Sequence, residues 1–269
     1  PWRELADKSG LYLAPLDSAV LSAREEAILS RWLGHVPLVK NSQRSYVNAL
    51  NKLRQDVFDT YAAKWDREGS LTEDRMISLA NYINAATGRG NLGKLSNVAS
   101  ELSVGFFAPR LLVSRLQVPA QLFAPGTDNA VRALIARDLA GFIATGSTLV
   151  GLAGLAGATV ELDPRSSDFA KIKIGHQRID PWGGFQQLVR YTAQMVTGEY
   201  KSPAGYVGDA NRFNTLIRFF RSKLSPSAGA AVSGLSGETF IGDNFLDTLG
   251  KSPEDRQSFI WNTFMPLFI

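Results

Sequence analysis

The chain has 269 residues, 45% of them hydrophobic, which is enough for one large domain or two small ones with a real core. It contains no cysteine, so disulfides, thiolate metal sites and redox chemistry through protein sulfur are excluded. The 29 Lys+Arg against 25 Asp+Glu leave a formal charge of +4 and a pI near 9.3, a mild basic bias that an ordinary solvated surface, a nucleic-acid contact or an anionic lipid contact would each accommodate.

The chain opens at Pro1 without a basic-plus-apolar leader, and it closes on Trp261, Phe264, Met265, Leu267, Phe268 and Ile269. Both ends are expected to be cuts within a longer polypeptide, and the apolar tail is expected to dock against something. Residues 15 to 34 read as a helix with apolar Val20, Leu21, Ile28, Trp32 and Leu33, ended by Gly34 before Pro37. From Arg44 to Asp66 the apolar positions Tyr46, Leu50, Leu53, Val57, Tyr61 and Trp65 step by three or four, which predicts a long amphipathic helix packed on other helices. Ser70 with Glu73 has the spacing of a capping box for a third helix through Met76, Leu79, Ile83 and Ala86, stopped by Gly88. A further helical stretch is expected from Leu92 to about Ser103, and the loop from Pro119 to Asn129 is the best internal boundary. Two lobes follow from that loop: a helical lobe over 1–124, and a helical lobe with a hairpin over 125–269.

The second lobe begins with a helix from about Asp128 to Leu139 and continues into a Gly/Ala-rich run. Ile172 and Ile174 alternate with Lys171 and Lys173, Gly175-His176 fits a two-residue turn, and Gln177 to Ile179 returns. Helices are then expected over Phe185 to Thr197, stopped by Gly198, and over Asn211 to Lys223, with a loop over Ser202 to Asp209 between them. Ser252-Pro253-Glu254-Asp255 marks one more helix start. The fold class is therefore mainly α, an irregular multi-helix bundle with one short β-hairpin near residues 170–180.

Gly88-Arg89-Gly90-Asn91-Leu92-Gly93-Lys94 matches a dinucleotide fingerprint and most of a phosphate loop, yet an amphipathic helix rather than a strand precedes it and Leu95 supplies no hydroxyl for magnesium. A helix C-cap and tight turn, with Gly88 and Gly90 at positive φ, is the expectation. His35 and His176 lie in turns, without a second histidine at ligand spacing, so no metal site is expected. Gly234-Leu235-Ser236-Gly237-Glu238 misses the nucleophile elbow at its last position and is read as part of a Ser/Gly loop. Arg212, Arg218, Arg221 and Lys223 edge an apolar helix and are the candidate phosphate contacts, weak and without sequence preference, while Arg110, Arg115, Arg132 and Arg137 flank the middle of the chain. Basic stems covering apolar surface are the competing reading. Trp182-Gly183-Gly184-Phe185 is expected to pack in a turn.

The uncharged run from Leu139 to Val160, 22 residues, is long enough to cross a bilayer, but Gly141, Gly146, Gly151, Gly154 and Gly157 together with several Thr and Ser dilute it. A tightly packed buried helix or helix-turn-helix is the leading expectation, with a segment that enters a membrane as the alternative. Under the packed reading Gly154→Ile costs roughly 1 to 3 kcal/mol by overpacking.

Several phrases read as a set: Asn81-Tyr82-Ile83-Asn84 into Ala86-Thr87-Gly88-Arg89-Gly90, then Phe107-Ala108-Pro109-Arg110-Leu111, Arg178-Ile179-Asp180-Pro181-Trp182-Gly183-Gly184-Phe185, and Arg221-Ser222-Lys223-Leu224-Ser225-Pro226. Together, over roughly residues 40 to 245, they resemble a domain associated with the very large polyvalent proteins of tailed bacteriophages, which are packaged in the virion and delivered with the genome. The resemblance implies a non-catalytic structural domain of an internal virion or ejection protein, located in the virion and then in the host cell envelope, with no cofactor. The implied partners are other virion proteins of tail, portal or ejection type and further copies of the chain, with non-specific DNA contact and transient host-membrane contact. The alternative it leaves open is a partner- or nucleic-acid-binding domain of a giant virion-packaged enzyme such as an RNA polymerase.

Overall fold

The structure, a computed structural model, describes residues 2–14, 37–202 and 205–238. The expected helix over 15 to 34, the helix start at Ser252 and the apolar C-terminal tail lie outside the described residues. The architecture is mainly α, with two small antiparallel sheets. The chain sorts into two compact units, Pro1–Arg132 with Arg221–Ile269, and Ala133–Phe220.

The first unit is built on α1 (Arg3–Lys8), α2 (Pro37–Arg67) and α3 (Glu73–Ala86). The buried line of α2 is Arg54, Phe58, Ala62 and Trp65, at steps of four, four and three. The expected stripe shares Trp65 with this line but otherwise lies beside it: Tyr46 is 68% exposed and Leu53 55%. The buried residues Met76, Leu79, Ala80 and Ile83 show which face α3 turns inward, and the Phe58 line is the one α2 buries. The N-cap of α3 is Thr72, whose hydroxyl accepts from the Arg75 N–H at 3.3 Å, so Glu73 stands at the first helical position and makes no capping box with Ser70. Ser70 instead offers its carbonyl to the Arg75 guanidinium at 2.6 Å. At the far end Gly88 has φ 84°, its N–H donates to the Ala85 carbonyl at 3.1 Å, and Arg89 N–H donates to the Asn84 carbonyl at 2.8 Å. This is a Schellman turn, and it is where the sequence placed the stop.

A 3-10 helix over Gly93–Val98 and α4 (Ala99–Gly105) lead to α5 (Pro109–Ala120), which starts with Pro109 at its first position. The chain then comes back to this unit from Arg221 onward. Phe107 N–H donates to the Lys223 carbonyl at 2.7 Å, Ser225 N–H donates to the Gly105 carbonyl at 2.9 Å, and the Ser225 hydroxyl donates to the Val104 carbonyl. The same Ser225 caps a helix, α9 (Pro226–Ser236), whose last turn takes in Gly234 to Ser236, residues expected in a Ser/Gly loop. The units therefore divide at two points, after Arg132 and after Phe220, whereas one boundary near residue 124 was expected.

Helix α6 (Asn129–Leu155) is continuous through the Gly/Ala-rich run, and its start is fixed by Asp128. The Asp128 carboxylate accepts from Ala130 N–H at 2.9 Å and from the Arg75 guanidinium at 3.0 Å. Gly157, at φ 94°, turns the chain into β1 (Thr159–Val160). β1 pairs with β2 (Ile172–Ile174), and β2 with β3 (Gln177–Ile179) in the register Ile172 to Ile179 and Ile174 to Gln177. The expected hairpin is thus present and is widened by a third strand. α7 (Phe185–Thr197) ends at Gly198, and α8 (Arg212–Arg221) is capped by Asn211, whose side-chain oxygen accepts from Phe213 N–H at 2.9 Å. Between them β4 (Glu199–Lys201) and β5 (Val207–Asp209) pair where only a loop was expected.

Five charges knit the small sheets together. Asp163 accepts from Arg165 Nη2 at 2.7 Å, Arg165 also donates to Glu199, and Lys201 pairs with Glu161 at 2.8 Å. The Arg165 side-chain bonds first, then the Arg165 backbone N–H, pull the Asp163 carboxyl from 3.8 down to about 2. A carboxyl depressed on folding contributes stability that is present above its unfolded value and lost as pH falls through its folded value. Asp163→Asn should therefore lower Tm by a constant amount from pH 5 to pH 7. The deficit should shrink between about pH 4 and about pH 2 in a thermal melt series. A deficit that grows with acid would contradict the assignment.

Candidate functional site

In the first unit α3 and α5 pack side by side, and a cavity of about 620 Å³ opens along them. Helix α3 contributes Asn81 and Asn84, the turn after it contributes Arg89, Gly90 and Asn91, and α5 contributes Arg110 and Gln117. Tyr12, from the segment after α1, closes one wall. Among the described lining residues none is acidic. Residues of the first two sequence phrases, Asn81 to Gly90 and Phe107 to Leu111, thus meet in one cleft.

The wall is built by backbone fit. Gly90 N–H donates to the Arg110 carbonyl at 3.2 Å, and a Cβ on Gly90 would lie 2.5 Å from both that oxygen and the Ser114 nitrogen. Gly90 is glycine for this close approach; its φ is not among the positive ones, which corrects the expectation for that residue. Gln117 holds the rim by accepting from Asn91 N–H at 2.8 Å and donating to the Asn91 carbonyl at 2.7 Å. Asn84 ties the N-terminal segment down, accepting from Tyr12 N–H at 2.8 Å and donating to the Gly10 carbonyl at 2.9 Å.

Arg54 lies behind this cleft and is 2% exposed. Its guanidinium donates to Thr87 Oγ1 at 2.8 Å, the Tyr12 carbonyl at 3.1 Å and the Thr87 carbonyl at 3.2 Å, all neutral oxygens. Burial, and next the Arg89 charge, bring its pKa down to about 10, so it remains a cation at neutral pH. Arg54 and Arg89 stand over the same Tyr12 ring at 5.5 and 3.5 Å. Sequence reading missed Arg54; the usable signal was its place four residues before Phe58 on the line that continues to Ala62.

Three of the expected phosphate contacts, Arg212, Arg218 and Arg221, lie on α8 and Lys223 follows it, with the division between the units falling between Phe220 and Arg221. Arg212 and Arg218 belong to Ala133–Phe220, and Arg221 and Lys223 to the other unit. Arg212 donates to the Met195 carbonyl at 3.0 Å, and Arg221 donates to the Glu238 carbonyl at 2.6 Å and the Ser233 hydroxyl at 3.3 Å. These are helix-joining bonds. Arg132 is likewise spent on the Ala124 and Thr127 carbonyls, while Arg110 sits in the cleft. The glycines at 88–94 follow a helix, as expected. His176 is exposed in the hairpin turn, and among the described residues no group of three or more His, Asp or Glu is arranged to hold a metal ion.

The second unit shows a different feature, apolar helix faces left open. On α8, Phe213, Ile217 and Phe220 are 67%, 46% and 47% exposed at steps of four and three, while Thr215 is buried on another face. On α6, Leu149, Leu152 and Leu155 form an exposed row. Most of the run from Leu139 is exposed within the chain, so the described residues do not themselves supply the close packing expected for it, and α6 is long and apolar enough to cross a bilayer. A Cβ on Gly141, Gly151 or Gly157 meets nothing within 4 Å, and on Gly154 it lies 3.9 Å from Val160, an ordinary contact. The overpacking expected at Gly154 belongs instead to Gly146, where a Cβ would lie 2.6 to 3.0 Å from the Trp182 ring. Scans against protein-family models and searches of curated proteins and of solved structures find no match to this chain.

Proposed function

We infer that this chain is a non-catalytic assembly domain of a bacteriophage internal virion protein, packaged in the particle and assisting genome delivery. The observation that carries the reading is the open apolar stripe of α8, Phe213, Ile217 and Phe220, together with the leucine row of α6. Soluble monomers rarely leave contiguous apolar faces in water, and such faces mark surfaces that meet protein or membrane. A domain that works inside a crowded particle covers them with other virion proteins or further copies of itself. The sequence phrases supply the phage part of the reading, and the motif failures along the chain support a structural rather than a chemical role. Transient contact of α6 with a host membrane during delivery is the second use of the same row, supported by its length and composition. Mass spectrometry of purified phage particles tests the reading: the chain should be a stoichiometric component, and finding it only in infected-cell lysate contradicts it.

A further inference from the structure

The β4–β5 ribbon takes no part in the apolar helix faces on which the assembly reading rests, and its two sides differ in chemistry. On one side Glu199 and Lys201 tie it to the unit Ala133–Phe220: Arg165 donates to Glu199, Lys201 pairs with Glu161 at 2.8 Å, and Lys201 N–H donates to the Arg165 carbonyl at 3.3 Å. Strand alternation sends Tyr200 and Gly208, which face each other across the ribbon, to the other side. Ser202 N–H, donating to the Tyr206 carbonyl at 2.8 Å, carries the pairing one step further and puts Tyr206 on that side too. The two rings meet at 6.4 Å between centroids and 65° between planes, over the space that a Cβ on Gly208 would fill. Tyr206 is nonetheless 66% exposed and Tyr200 38%. Among the described residues neither phenol hydroxyl has a hydrogen-bond partner.

Covering a strand glycine uses one edge of each ring and leaves the outer faces and both hydroxyls to solvent. Tyrosine pairs of this kind offer a large contact area with few torsions to freeze, and the ion pairs on the far side hold the ribbon beneath them. The class of ligand follows by elimination. A flat group slotted between two rings needs their planes about 7 to 8 Å apart, two van der Waals contacts of about 3.5 to 4 Å each. This pair has closed on itself, so it offers no slot for a proline and a ligand must lie on the outer faces. A nucleic-acid strand needs free cations beside the stacked rings. The stretch from Glu199 to Asp209 instead carries two acids against Lys201, whose ammonium is paired. What fits is a neutral ring that lies flat on an aromatic face and carries hydroxyls. A pyranose with equatorial substituents is such a ring: its axial C–H bonds, slightly positive, meet the negative π face, and its hydroxyls donate and accept as a phenol does.

We propose that Tyr200 and Tyr206 form a docking platform for an oligosaccharide of equatorially substituted pyranoses, with neighbouring sugar rings on the two aromatic faces. The proposal stands on the ribbon alone and does not depend on residence in a particle.

The test is isothermal titration of the full 269-residue chain with two neutral pentasaccharides, cellopentaose and chitopentaose, beside a thymidine oligonucleotide and decaproline. At least one pentasaccharide should bind, and a ten-fold rise in salt should change its Kd by less than about two-fold, because no charge is neutralised. Tyr206→Ala should weaken it about ten-fold by removing one ring face. Tyr206→Phe keeps the ring and should weaken it by about three- to five-fold through the lost hydroxyl. Circular dichroism of each variant shows that the fold is intact, as the exposure of Tyr206 leads one to expect. The proposal is overturned if neither pentasaccharide binds, or if Tyr206→Ala and Tyr200→Ala both leave binding unchanged. It is also overturned if the oligonucleotide or decaproline binds more tightly than the sugars and depends on Tyr206, because the platform then serves another class of ligand. Binding is read on the purified chain, so neither a negative here nor an absence from particles decides the other.

Discussion

Replacing Gly146 with leucine should destabilise the unit Ala133–Phe220 by about 1 to 3 kcal/mol, the usual range for forcing extra atoms into a packed site. The reason is the Trp182 ring, which already lies within 3.0 Å of where the Cβ would go. That ring cannot simply swing away. Its Nε1 donates to the Ala170 carbonyl at 2.8 Å, and its neighbour Phe142 meets it edge-on at 5.9 Å. Ala170 in turn lies between β1 and β2, with its N–H on the Glu161 carbonyl, so displacing the tryptophan disturbs the small sheet as well. Helix propensity favours leucine over glycine by under about 1 kcal/mol and does not offset the clash. The same substitution at Gly154 meets only Val160 at ordinary distance and should change stability by less than about 1 kcal/mol. Thermal or urea unfolding of the two variants decides the matter. Equal losses at both positions would show that α6 is packed along its whole length, contrary to its exposure.

The second large effect is expected on assembly. Phe213→Glu with Ile217→Glu puts two carboxylates on the open stripe of α8, where the side chains are 67% and 46% exposed. Stability should change by less than about 1 kcal/mol, as for other surface substitutions. Incorporation into particles should fall at least about ten-fold, since burying even one unpaired charge in an interface costs well over the 1.4 kcal/mol that a decade requires. Complementation with the double variant, followed by immunoblotting of purified particles, measures this. A large loss of Tm would make the stripe part of the unit's own core and remove the basis of the assembly reading. Liposomes provide the companion measurement: the isolated chain should not float with them, and flotation that survives high salt and alkaline carbonate would assign the α6 row to the membrane instead.

Local signals proved legible where one residue type decides the backbone. The hairpin at 172–179 was readable from the alternation of Ile172, Lys173 and Ile174 and from Gly175; the ends of α3 and α7 were readable from Gly88 and Gly198. Three features depended on tertiary partners. The buried line of α2 differs from its most apolar stripe because Arg54 is held inside by acceptors from Tyr12 and Thr87, residues far away in sequence. Strands β4 and β5 are three residues each and carry Gly208, a poor strand former, at their centre; the missing Cβ there admits the Tyr200 and Tyr206 rings within 3.0 Å. Helix α9 is rich in Ser, Gly and Ala, so periodicity gave no warning, although Ser225-Pro226 is the same start signal that was read at Ser252-Pro253. The cleft was legible only in pieces. Its residues lie in phrases noticed as sequence, but their convergence depends on α3 packing on α5 and on the close approach that Gly90 permits.

The proposed role in the particle is tested most directly by following the chain through delivery. Purified phage particles are triggered to release their genome by isolated receptor, emptied particles are separated, and the chain is quantified by mass spectrometry before and after. The account predicts that it is present in full particles, depleted from emptied ones and recovered with the released material. A chain absent from full particles, or retained undiminished in emptied ones, would contradict it.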